Sequence, residues 1–101
     1  MSGLSWSKEE QIIVLYYYLV KGAKGYESDN LVQKLASLIP RHSAASIAMK
    51  IGNYTYLNTN KEGGLKHISK LDGEIWQQFN QNLINLELVA NELLTTSHYK
   101  N

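Results

Sequence analysis

The chain has 101 residues, a formal net charge of +1, an apolar share of 44% and no cysteine. That is the size of one domain with one modest core, since such a chain buries only about two-thirds of its unfolded surface, and the apolar share excludes wholesale disorder. The missing cysteines exclude disulfide frameworks, thiolate zinc sites and cysteine nucleophiles. No apolar run approaches the roughly 18 residues of a membrane span, so a soluble, cytoplasmic protein with no membrane partner is expected.

In chain order, "SKEEQIIVLYYYLVKG" predicts a first helix. Ser7 and Glu10 stand at capping-box spacing. Ile12, Leu15, Tyr16 and Leu19 share one face, and Gly22 and Gly25 end the helix. Trp6, just before the cap, is expected to fold back onto the core. "LVQKLASLI" predicts a short second helix with Leu31, Leu35 and Leu38 on its buried stripe. Pro40 stops it, because the residue before a proline disfavours helix. A third helix follows over residues 43–54, capped by Ser43, with Ile47, Ile51 and Tyr54 facing inward. "LNTNKEGGLKHISKLDG" reads as a loop, pinned by Leu57, Leu65, Ile68 and Leu71. Asp72 is expected to cap one long final helix, residues 73–95, about 33 Å at 1.5 Å per residue. Its Trp76, Phe79, Leu83, Leu86, Ala90 and Leu93 repeat at heptad spacing. The seam reads as bundle packing, as a linker, or as a homodimer contact through Leu83, Leu86, Ala90 and Leu93.

The residues offer little to catalysis. His42, His67 and His98 stand at no metal-ligand spacing with each other or with carboxylates, and each reads as an exposed loop or terminal residue. The carboxylates are scattered or placed for capping, as Glu9 and Glu10 are. No phosphate-binding glycine loop is present. No catalytic residue, metal or cofactor is therefore assigned. The tyrosines of "LYYYL" read as core or core margin rather than as a base-stacking surface.

Charge points elsewhere. Residues 31–70 carry Lys34, Arg41, Lys50, Lys61, Lys66 and Lys70 against Glu62 alone, whereas residues 71–101 carry Lys100 against Asp72, Glu74, Glu87 and Glu92. A basic middle suits an anionic partner. Three helices, the second and third joined by a few residues, are the plan of helix-turn-helix and Myb-like DNA-binding domains. Ser46, Lys50 and Asn53 form one polar stripe on the third helix, with residue types suited to base edges and phosphates. Arg41 and His42 stand at its start, where free N–H groups attract phosphate. Lys61, Lys66 and Lys70 are expected on flanking phosphates.

The order of these segments resembles the N-terminal domain of predicted HNH-type restriction endonucleases. The counterparts are "WSKEE", "LYYYL", "LVQKLASLIP", "RHSAASIAMKIGNYTYLN", "GGLKH" and "LDGEIWQQF", covering Trp6 to Phe79. The resemblance implies a DNA-associated role, target or modified-base recognition among them, and that Lys50 and Asn53 match recurrent positions. The nuclease half of such enzymes is not among these residues, so cleavage is not expected of this chain.

The expectation is thus one all-α domain, residues 1–101, with a helix-turn-helix or Myb-like core (residues 6–79) and a long C-terminal helix. It would bind double-stranded DNA through Arg41, His42, Ser43, Ser46, Lys50, Asn53, Lys61, Lys66 and Lys70, as the recognition part of a restriction endonuclease or a stand-alone relative. The alternatives are a protein-interaction or dimerisation module and a small transcriptional regulator.

Overall fold

The computed structural model describes residues 5–96, and these form five helices and no strand. They are α1 (Lys8–Leu19), α2 (Asn30–Leu38), α3 (Ala44–Asn58), α4 (Lys70–Phe79) and α5 (Leu83–Leu94). His98 and Lys100 lie outside the described residues. No helix among those described is long and apolar enough to cross a membrane.

α1 opens on the expected capping box. Ser7 Oγ accepts from the Glu10 N–H at 3.1 Å, and Glu10 Oε1 accepts from the Ser7 N–H at 3.0 Å. The expected one-sided helix is instead buried all round, from Glu10 to Tyr17 without interruption. α3 and α4 pack against it, and α5 covers it most extensively. A helix apolar on every side is a central helix, and "IIVLYYYL" is such a sequence. Gly22, at φ +84°, then turns the chain, and the Ala23 N–H bonds back to the Tyr17 carbonyl at 2.9 Å.

Asp29 caps α2 by accepting from the N–H groups of Leu31 and Val32. Val32, Leu35 and Leu38 are buried there, while Leu31 is only partly so. Ile39, forced out of the helical region ahead of Pro40 (φ −125°, ψ 72°), puts its side chain in the core instead. Ser43 then caps α3, its Oγ accepting from the Ser46 N–H at 3.1 Å. α3 runs four residues past the expected end, to Asn58, because Leu57 in its last turn still packs on the core.

The expected single C-terminal helix is two helices. α4 starts earlier, on Ser69, which accepts from the Asp72 N–H at 3.0 Å while Asp72 Oδ2 accepts from the Ser69 N–H at 2.9 Å. Asp72 is therefore the third helical residue of a second capping box, not the cap. The helix breaks at Asn80–Asn82. Asn80 Nδ2 donates to the Trp76 carbonyl and Asn82 accepts from the Asn85 N–H, which is how asparagine side chains compete with helix continuation. The break lays α5 on α1, with Leu86 and Ala90 fully buried. Two members of the expected dimer seam are thus used inside the chain. Leu93 is partly buried against the same core, and Leu83 is 42% exposed. The apolar residues that α5 leaves in solvent are Leu83, Ile84 and Leu88.

Candidate nucleic-acid interface

The stripe of Ser46, Lys50 and Asn53 was expected to face outward. Two of its three members, Lys50 and Asn53, are engaged by the rest of the chain. Lys50 is buried, and its Nζ donates to Asp72 Oδ1 at 2.7 Å. The other Asp72 oxygen holds the α4 cap, so one carboxylate joins α3 to the start of α4. Lys50 Nζ also lies 5.4 Å from the centre of the Trp6 ring, within cation–π range. A buried ammonium with a carboxylate and an aromatic face around it is not available to a phosphate. Asn53 is likewise engaged: its Nδ2 donates to the carbonyls of Leu65 at 3.0 Å and His67 at 3.3 Å. It fastens the 59–69 loop to α3 rather than offering an amide to a base edge. Ser46 is half-buried, and Ser43 is spent on the cap.

His42, expected in solvent, is buried. Its ring stacks on Trp6 with centres 3.8 Å apart and planes 4° apart. Its Nε2 is 3.0 Å from Glu10 Oε1, and its Nδ1 is buried without a partner among the described residues. Glu10 is buried as well. Burial alone pushes its carboxyl up, but the Ser7 N–H, the His42 ring and the Arg41 guanidinium together hold it below the ordinary glutamate value. Arg41 is half-exposed; its Nη1 lies 3.5 Å from Glu10 Oε2 and its Nη2 donates to the Ser5 carbonyl at 3.2 Å. Deeper in the core, Tyr54 Oη donates to Gln11 Oε1 at 2.7 Å, and burial and then the nearby Asp72 charge push its phenol well above the usual range. The tryptophan, Arg-His, lysine and Leu-Asp segments of the motif thus converge on a polar seam that ties the N-terminal arm, the α2–α3 turn, α3 and α4 together.

The open side of α3 is the neighbouring face. Ala45, Ala48, Met49, Gly52 and Thr55 line a groove of about 670 Å³. Gly25, Tyr26 and Glu27, ahead of α2, and Gly64 and Leu65, after α3, complete the lining. Two close approaches seat the loop after α3 on that helix. Leu65 packs where a Gly52 Cβ would stand, 2.9 Å away, and its N–H donates to the Gly52 carbonyl at 2.9 Å. Gly64 holds φ +80° with no room for a side chain, since a Cβ would collide with the same carbonyl. Tyr26 (65% exposed), Met49 (60%) and Leu65 (43%) leave apolar surface in solvent around the groove.

Beyond Gly64 a smaller hollow of about 200 Å³ continues, lined by Tyr56, Lys61, Glu62, Gly63 and Lys66. Lys61, Lys66 and Lys70 are all exposed, and none takes part in an ion pair among the described residues. Of the nine residues expected to bind, these three keep free charges. Tyr26, Glu27, Met49 and Leu65 were not foreseen. Tyr26, Met49 and Leu65 were present only as apolar residues in segments read as turn, helix side and loop, and Glu27 only as a single charge in that turn.

Compared with protein-family models, with curated proteins and with solved structures, the chain matches none.

Proposed function

We propose that this domain binds DNA, as a target-recognition module of the restriction-endonuclease type or a stand-alone relative of one. The observation that carries the reading is the set of three exposed lysines, Lys61 and Lys66 on the loop that borders the open side of α3 and Lys70 at the start of α4. Lysines free of carboxylate partners neutralise phosphates and release counterions. Met49, exposed on the open side of α3, supports the reading as apolar surface close to the loop that carries Lys61 and Lys66. The likeness of "RHSAASIAMKIGNYTYLN" and "LDGEIWQQF" to the HNH-associated domains supports the same reading. Lys50, Asn53 and His42 do not belong to the DNA-facing residues, because the fold uses them.

The test is binding to a duplex across a salt series. Replacing Lys61, Lys66 and Lys70 with alanine should weaken binding and flatten the log–log salt slope by about 0.9 for each phosphate no longer neutralised. Their exposure predicts unfolding free energies within about 0.5 kcal/mol of the parent. A parent chain without salt-dependent affinity, or a triple variant with unchanged slope, overturns the proposal.

A further inference from the structure

We infer that the groove beside α3 takes a single unstacked nucleobase, with the adjoining phosphate on Lys61 and Lys66. The inference rests on the DNA-binding reading above and names what its site accepts. A recognition helix that lies flush in a major groove must stand proud of its surroundings. Here the groove is lined by α3, by Tyr26 and Glu27 ahead of α2, and by Gly64 and Leu65 after α3. A concave site built from three segments suits one base turned out of the stack better than a flat duplex edge.

The lining suits such a base. Ala45, Ala48 and Gly52 leave α3 without bulk, and Tyr26 and Met49 supply exposed aromatic and thioether surface for its faces. Sites for small ligands are largely apolar, with a few placed polar groups, and of about 300–1,000 Å³; the groove, at about 670 Å³, is of that size. The phosphate end carries two lysines, Lys61 and Lys66, against one carboxylate, Glu62. The hollow that holds Lys61 and Lys66 shares Gly64 with the groove. Apolar slot and cationic hollow therefore lie side by side, as base and phosphate do in one nucleotide. An acidic peptide would satisfy the lysines but would meet Glu27, the one charged side chain in the groove lining. Ionised, that carboxylate accepts hydrogen bonds only. It suits a base with an exocyclic amino group, such as cytosine, and gains nothing from thymine.

The experiment compares the full chain on three fluorescent duplexes of one sequence: fully paired, with one bulged cytosine, and with one bulged thymine. Stacking on an aromatic side chain predicts about tenfold tighter binding to the cytosine bulge than to the paired duplex. The thymine bulge should gain less. Tyr26→Ala should bring the bulged-to-paired ratio close to one, and Glu27→Gln should remove the difference between cytosine and thymine. Tyr26 is 65% exposed and outside the core, so the variant folds. Equal affinity for paired and bulged duplexes, with a lysine-dependent salt slope intact, overturns base capture and leaves DNA binding standing. No affinity for any duplex overturns both. An acidic peptide that displaces the cytosine-bulged duplex, while free dCMP does not, also overturns base capture.

Discussion

The two sides of α3 carry different signals in the sequence, and their roles in the structure are the reverse of what those signals suggest. On one side Lys50 and Asn53 stand at helical spacing and look ready to meet a partner. That partner is the chain itself: Asp72 for Lys50, and the Leu65 and His67 carbonyls for Asn53. On the other side Ala45, Met49 and Gly52 carry no polar signal, yet they line the open groove. A polar residue on a helix reports that something satisfies it, not what does. Where the following segment doubles back over the helix, as residues 59–69 do here, the satisfying groups come from within.

The largest expected effect lies on the internal side. Asp72→Ala removes the α4 cap acceptor and strands a buried ammonium, which should cost about 3–5 kcal/mol in denaturant unfolding. Asp72→Asn should cost less, because its amide oxygen still accepts a hydrogen bond from the Ser69 N–H or from Lys50. If Asp72→Ala unfolds like the parent, the seam does not hold α3 to α4. For the same reason, weaker DNA binding on Lys50→Ala would report unfolding rather than a missing phosphate partner.

A smaller effect appears with alkali. Tyr54 and Tyr17 both have phenols raised by burial above the ordinary value of 10.0. The folded chain then holds its phenolic protons more tightly than the unfolded chain. Their contribution is complete below pH 10 and is lost as pH rises from there toward the folded values. Thermal midpoints should be level below that point and fall above it. Tyr54→Phe should flatten the fall, at a cost of about 1–3 kcal/mol at neutral pH for leaving the Gln11 carbonyl oxygen without its donor. An equally steep fall in Tyr54→Phe would remove Tyr54 from that account.

The parts of the fold legible in the sequence are those set by local chemistry. The Ser7–Glu10 box, the Pro40 stop and the Ser43 cap each rest on a few adjacent residues. Two of the differences have a local explanation. "SKLD" repeats the capping-box spacing of "SKEE", which marks the start of α4, and the asparagines of "NQN" mark its break. The polar seam has no such local signature. The partners of Lys50 and Asn53 lie 12 to 22 residues away, and the partner of His42 lies 32 away. Spacing within a helix says nothing about such pairs. The unbroken apolar run of α1 is the one clue that α5 must cover its remaining side.

The contrast between the sides of α3 is tested most directly by mapping a bound duplex on the isotopically labelled chain. Amide shifts on titration should concentrate at Tyr26, Met49 and residues 61–70. Those of His42 and Gln11, within the seam and the core, should hold still. Shifts centred on His42, with Tyr26 and Lys66 unmoved, would contradict the assignment of the seam to folding and of the open side to DNA.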